Sequence, residues 1–200
     1  ILNKNIIKIP FKNPKEGFSK VLKKYFEKYQ NQRPFKKIKT HSSVYIHKTA
    51  KIGKNVVIGA YSFIGEYVTI EDNVYISERV SIHSNCIIGK ECFIGSGVVI
   101  ENTILGSKVI VSHNSVLGKV GFGFLPNQAK TFLIPHVGSL EIGTGTHIGA
   151  GCTIDRGLID NTSIGKYVMI DNQVHIGHNC VIEDFCILAG QVGLSGSVIL

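Results

Sequence analysis

Three observations predict an all-β chain wound as a parallel β-helix of hexapeptide repeats. The first is an aliphatic residue at every sixth position. Ile46, Ile52, Ile58, Ile64, Ile70, Ile76, Ile82, Ile88, Ile94 and Ile100 form an unbroken series of ten. It resumes as Leu105, Val111 and Leu117, then Ile142, Ile148 and Ile154, then Ile164, Ile170, Ile176, Ile182, Leu188, Leu194 and Leu200. A helix needs apolar spacings of three and four, and a half-buried strand needs two. A period of six fits a chain that runs straight, turns, and runs straight again. The other two observations are a Gly that often follows the aliphatic residue, as at Gly53, Gly59 and Gly65, and a small residue four after it. Three such flats close a triangular coil of about 18 residues, and coils stack at about 4.8 Å.

Ahead of the repeats, residues 1–43 read as a short α/β remnant of an N-terminal domain, and residues 44–200 as the β-helix domain. Residues 1–12 read as the end of a strand and a turn. Asn13 as N-cap, Pro14 at the first helical position and Glu16 at the third then start a helix with a capping-box arrangement. Phe18, Val21, Leu22, Tyr25, Phe26 and Tyr29 follow at spacings of three and four, an apolar stripe that ends near Gln30 and must cover something. Residues 31–43 read as a basic linker. The chain opens on Ile1 and stops at Leu200 on a repeat position, and is read as truncated at both ends.

Composition narrows the partners. The interior is a stack of branched side chains with little room for rings, which agrees with 8% aromatic residues and no Trp. Of 22 Lys and Arg, 15 fall within residues 1–54, against only Glu16 and Glu27, while the remainder is net acidic. Such a basic section fits an anionic membrane surface, an acidic protein or a solvated face. Nucleic acid is disfavoured, because no recognition motif accompanies the lysines. No apolar run reaches the length of about 18 residues that a membrane-crossing helix needs. The five cysteines, Cys86, Cys92, Cys152, Cys180 and Cys186, all sit four after a repeat aliphatic. They are expected to face inward as small hydrophobes, free of disulfides, which fits a reducing cytoplasm.

Breaks in a solenoid are where function tends to be inserted. The larger spans Lys119 to about Leu140 and holds Gly121-Phe122-Gly123-Phe124 and Ile134-Pro135-His136; the aromatic pair is either a ligand-facing loop or a plug. The smaller separates Ile154 from Ile164 and holds Asp155-Arg156-Gly157. Of the eight histidines, His41, His47 and His83 read as surface residues, and His113, His136 and His147 stay open. Asp171-Asn172-Gln173-Val174-His175-Ile176-Gly177-His178-Asn179 stands apart, crowding proton-handling and amide side chains onto two adjacent corners. Stacking arithmetic puts Arg156, His178 and Gly196 in one column, a base beside a backbone N–H able to stabilise an oxyanion. On repeat geometry alone, a solvated structural histidine fits His178 equally well. The trimeric β-helix carbonic anhydrases bind zinc on such a prism with two ligands five residues apart and a third upstream; no two histidines here are five apart, so no metal is expected.

GFGF (121–124), IPHVG (134–138), TIDRG (153–157), DNQVHIGHN (171–179) and AGQVGLSGS (189–197) occur in this order. Together with the helix NPKEGFSKVLKKYF they closely resemble the UDP-3-O-acylglucosamine N-acyltransferases of lipid A biosynthesis, members of the hexapeptide-repeat acyltransferase superfamily. The resemblance implies a left-handed coil, where the usual crossover rule would give the other hand, and a homotrimer with sites between subunits. It implies a 3-hydroxyacyl group moved from acyl carrier protein to the 2-amine of a UDP-sugar. The acyl donor rides on the carrier's phosphopantetheine, with no other cofactor, in the cytoplasm of a Gram-negative bacterium, where peripheral membrane association stays open. By the same resemblance, His178 is the general base and Gly196 supplies the oxyanion N–H. Asp171, Asn172, His175, Asn179, Phe122, Phe124 and Arg156 are the candidate substrate-binding residues. The family's uracil-stacking aromatics and carrier-binding C-terminal helices fall outside residues 1–200. Two residues depart from the family pattern: Val120 stands where Asp is common and His136 where Gln is usual. The rival readings are a UDP-N-acetylglucosamine O-acyltransferase, an acetyl-CoA sugar acetyltransferase and a non-enzymatic β-helix.

Overall fold

The computed structural model of the chain describes residues 10–30, 40–126 and 131–200. The chain divides into two compact units, Ile1–Lys37 and Ile38–Leu200. Residues 1–9, part of the expected strand end, and 31–39, most of the expected linker, lie outside the described residues.

In the first unit the helix runs Pro14–Gln30. Asn13 Oδ1 accepts the backbone N–H groups of Lys15 at 3.1 Å and Glu16 at 3.3 Å, so it caps as the sequence predicts. Glu16 departs from the capping-box expectation: its carboxylate turns along the helix to Lys20 Nζ at 2.6 Å. The Phe11 ring packs over Gly17, where any Cβ would collide with it. Phe18 and Val21 of the apolar stripe stay exposed, at 66% and 50%. The side chains of Tyr25, Phe26 and Tyr29 lie outside the described set.

The second unit is the β-helix. Its short strands stack into three parallel sheets of eight, seven and seven strands, with a separate two-stranded hairpin. Successive strands of one sheet are one coil apart, as in the pairings Ile64↔Ile82 and Ile82↔Ile100. The repeat aliphatics from Ile58 to Leu188 point inward and are buried, and at many flats the residue four after, such as Val68, Val74, Cys86 or Val168, completes the packing. Outward positions stack one coil apart as well: the Tyr45 and Phe63 rings lie 5.2 Å apart and 5° from parallel.

Corners are made by the third residue after the aliphatic, which adopts a left-handed backbone. Asn73 (φ 61°), Tyr67 (φ 55°) and Asn179 (φ 59°) are examples. This conformation is uncommon for residues other than Gly, Asn and Asp. Here a backbone bond to the preceding coil sustains it, as in Asn73 N–H to Lys54 C=O at 2.8 Å and Ser197 N–H to His178 C=O at 2.8 Å. Both sequence breaks leave at corners. The larger becomes an antiparallel hairpin, Phe124–Pro126 with Thr131–Leu133, and the smaller a loop between strands Thr153–Asp155 and Thr162–Ile164.

The cysteines are free; four are buried and Cys186 is half-buried. Burial pushes the thiols of Cys86 and Cys92 up to about 11, and raises those of Cys152 and Cys180. The thiolate is the reactive form, so these four should alkylate slowly at neutral pH in native protein and rapidly after unfolding. The folded state holds the thiol proton more tightly than the unfolded chain. Stability should therefore be unaffected by these groups at neutral pH and fall as pH rises from about 9 toward 11. Rapid labelling of Cys86 and Cys92 in native protein would show that the inward register is wrong.

Candidate active site

At four corners among the described residues the residue two after the aliphatic has a structural task. It caps the N–H of its counterpart one coil earlier. Asp72 Oδ1 accepts from Lys54 N–H at 2.7 Å, His113 Nδ1 from Ser96 N–H at 2.9 Å, Asn172 Oδ1 from Ala150 N–H at 2.8 Å, and Asp184 Oδ1 from Lys166 N–H at 2.6 Å. His178 occupies the equivalent position above Arg156, since Thr153 pairs with His175 and Ile154 with Ile176. The Arg156 N–H, however, already donates to Lys119 C=O at 3.0 Å. The irregular register between Leu117 and Lys119 in strand Val116–Lys119 provides that carbonyl. His178 is thus released from capping, and its ring is available for other work.

What the ring does instead follows from its neighbour. Asn179 Oδ1 accepts the Leu158 N–H at 2.9 Å, and its Nδ2 donates to Asp160 C=O at 3.2 Å. Both partners are backbone groups with fixed roles, so the amide orientation is determined. His178 Nδ1 lies 3.0 Å from the same Oδ1 and must therefore carry a proton and donate it. Nε2 is left as the bare acceptor, the form a general base requires. The smaller break, by supplying Leu158 and Asp160, fixes the tautomer of His178. Asn179 is also held by its own N–H, which donates to Thr162 Oγ1 at 2.8 Å.

The column predicted from stacking arithmetic is present. His175 pairs with Gly193 and Ile176 with Leu194, which sets Gly196 beside His178. A Cβ on Gly196 would fall 2.7 Å from His178 Nε2 and 2.8 Å from Cε1, so only glycine leaves the ring its place. Among the described residues the Gly196 N–H donates to no group. Gly196 is exposed and His178 half-buried.

The larger break closes over the same edge. Gly121 and Gly123 face the prism: a Cβ on Gly121 would fall 2.8 Å from both His178 Cβ and His136 Nε2, and one on Gly123 would fall 2.9 Å from His136 Cε1. Phe122 and Phe124 alternate with them and point outward, exposed at 77% and 42%, their rings edge-on at 5.0 Å. Leu133 pairs with Phe124 across the hairpin and shares its face, so exposed apolar side chains cluster around the phenylalanine pair. Arg156 turns inward and braces the insertion, with Nε donating to His136 C=O at 2.9 Å and Nη1 3.9 Å from Glu101 Oε2. Lys119 Nζ pairs with the buried Asp155 at 2.6 Å.

The remaining sequence candidates lie elsewhere on the coil. Asp171 and Asn172 stand at the preceding corner, where the Asn172 amide caps Ala150 and donates to Asp171 Oδ1 at 2.9 Å. His175 lies between the two corners on the sheet face, its Nδ1 2.8 Å from Thr153 Oγ1. His41 and His47, read from sequence as surface residues, are half-buried. Their Nδ1 atoms meet the hydroxyls of Ser43 at 2.8 Å and Thr49 at 2.9 Å within local turns. His136 is what reading by spacing alone missed: it lies far from His178 in sequence, yet the two rings are 5.1 Å apart and edge-on. The one sequence signal was its place in IPHVG, where the resembled family has Gln. Among the described residues no three His, Cys, Asp or Glu side chains converge as a metal site would require.

These features resemble those of the hexapeptide-repeat acyltransferases, and the comparisons with known proteins point the same way. Residues 161–196 match the family model for bacterial transferase hexapeptide (six repeats), and residues 36–128 match that for the GMPPB C-terminal domain. The chain is 43% identical over 96% of its length to the UDP-3-O-acylglucosamine N-acyltransferase of Acinetobacter baylyi. It is 40% identical over 92% of its length to the enzyme of that name from Coxiella burnetii. The chain spans about half the length of these relatives, 52% and 53%. Among solved structures it is similar to Arabidopsis UDP-N-acetylglucosamine acyltransferase, with TM-score 0.63 and 25% identity over 80% of this chain and 60% of that one. It is also similar to UDP-N-acetylglucosamine O-acyltransferase from Moraxella catarrhalis, with TM-score 0.56 and 26% identity over 80% of this chain and 54% of that one.

Asn179 can be tested apart from its backbone. Asn179→Gly preserves the left-handed corner without strain but leaves the Leu158 N–H and the His178 Nδ1–H without their acceptor. Denaturant unfolding should show a loss of about 1–2 kcal/mol. A change under about 0.5 kcal/mol would show that the amide does not hold the 157–161 loop.

Proposed function

We propose that this chain is the catalytic prism of an N-acyltransferase that moves a 3-hydroxyacyl group from acyl carrier protein to the 2-amine of UDP-3-O-acylglucosamine, in lipid A biosynthesis. The observation that carries the reading is the His178 tautomer, with Nδ1–H given to Asn179 and a bare Nε2 against Gly196. The amine attacks the thioester carbonyl, and Nε2 takes the proton it loses. The developing oxyanion accepts the Gly196 N–H, which needs no reorganisation to donate. Collapse breaks the C–S bond, and the proton held on His178 passes to the departing phosphopantetheine thiolate. The exposed apolar side chains around Phe122 and Phe124 suit an acyl chain, and Asp171 and His175 are assigned to hold the sugar. The enzyme acts in the cytoplasm. No helix among the described residues is long and apolar enough to cross a membrane.

His178→Ala in the full-length protein should lower kcat by about 10²–10⁴-fold, the scale of a lost general base, with modest change in KM. His175→Ala should be milder. Retention of near-full N-acyl transfer by His178→Ala would sink the assignment. A second reading, a UDP-N-acetylglucosamine O-acyltransferase, draws on the solved structures named above. Preference of the wild type for UDP-N-acetylglucosamine as acceptor would establish it instead, and transfer of acetyl from coenzyme A would exclude both.

The assembly is proposed to be a homotrimer in which a neighbour completes each site. Light scattering on the full-length protein should give three times the chain mass, and a stable monomer would contradict it.

A further inference from the structure

His136 is 3% exposed and has no part in the proton transfer assigned above. It sits where the hairpin insertion rejoins the prism, and its ring is fixed from several sides. Nδ1 lies 2.9 Å from Ile134 C=O. A carbonyl only accepts, so Nδ1 carries the proton and Nε2 carries a bare lone pair. The backbone carbonyl of His136 accepts from Arg156 Nε at 2.9 Å. Gly121 and Gly123 close over the ring so tightly that neither tolerates a Cβ. Nε2 is buried and has no hydrogen-bond partner among the described residues.

A buried acceptor without a donor is unfavourable, and in a native structure it asks for a reason. The group beside it supplies one. The His178 ring stands edge-on to His136, at 71° and 5.1 Å between centroids. An ideal Cβ on Gly121 would lie 2.8 Å from both His136 Nε2 and His178 Cβ, so the Gly121 backbone is flanked by the two histidines and the lone pair faces the same small space as the root of His178. The fixed charges of this corner come in opposed pairs, Arg156 with Glu101 at 3.9 Å and Lys119 with Asp155 at 2.6 Å. A neutral imidazole with its electron-rich nitrogen buried beside His178 is therefore not swamped by a single unpaired ion.

We propose that His136 is a positioning residue for His178: its buried, unprotonated Nε2 stabilises the imidazolium that forms on His178 as it takes the substrate proton, and its ring holds the Gly121–Gly123 segment over that base. The proposal rests on the reading of His178 as general base. Because the dipole is fixed before the proton moves, it acts on the charged state that develops during reaction and not on substrate binding. It also gives Gly121 and Gly123 a common task, since a side chain at either would displace the histidine pair.

The test compares His136→Leu, which fills the space without an acceptor, with His136→Gln, which restores one, in the full-length protein. Leu should lower kcat about tenfold with KM for both substrates within about twofold, and Gln should stay within about threefold of wild type. Equal kcat for the two variants, or an effect of Leu confined to KM, would overturn the proposal. Histidine-selective 15N spectra of the wild type need no turnover. They should show His136 protonated at Nδ1, with an Nε2 resonance that moves in His178→Ala. A His136 protonated at Nε2, or one indifferent to His178→Ala, overturns the proposal even if Leu does not fold. Absence of acyl transfer by the wild type would count against the proposed reaction alone, and the spectra would still decide the histidine pair.

Discussion

Each flat of the solenoid hydrogen-bonds to the flat one coil away, and the backbone at every corner must do the same. That ladder is the constraint on which the rest depends. It sets the sixfold period, because an inward residue can recur only once per flat. It also fixes the backbone at the turns, where Tyr67, Asn73 and Asn179 hold left-handed conformations that single residues outside a stack would rarely keep. Extra residues can leave the path only where a flat ends. Both insertions accordingly emerge at corners, and neither disturbs the aliphatic column on its two sides.

The site is a local exception to the same ladder. At four other corners a polar residue, Asp72, His113, Asn172 or Asp184, caps an N–H in the preceding coil. Where the strand Val116–Lys119 shifts register, its own carbonyl takes the N–H that His178 would have capped. A corner residue is thereby freed without leaving a buried donor unpaired. The loop 157–161 then uses Asn179 to hold the freed ring, and the hairpin covers it. Two insertions and one slipped register, all between Leu117 and Ile164, act on a single imidazole.

The same rule explains why several polar residues that look chemical in sequence are structural. His113 and Asn172 are caps, and His41 and His47 close turns with neighbouring hydroxyls. Arg156 braces the hairpin through the carbonyl of His136 and lies near Glu101, so its charge is spent within the chain. Burial likewise makes the cysteines inert, raising their thiols by desolvation while their sulfurs approach backbone carbonyls, as Cys92 does with Gly106 at 3.1 Å.

The period of six, the inward cysteines, the helix start at Asn13 and the column of Arg156, His178 and Gly196 were all legible in sequence. Each is a repeat or local pattern, and in a solenoid, position along the chain converts directly into position in space. The motifs of the two breaks pointed to the same edge, but through resemblance and not through spacing. The tertiary structure decided what a one-dimensional count has no means to express. It determined that Asn179 orients the His178 ring, that the alternation in GFGF turns its glycines toward two histidines and its phenylalanines outward, and that His136 lies against His178. Those relations depend on how irregular segments fold back on the prism. That folding is set by packing between residues far apart in sequence, where no period carries the register forward.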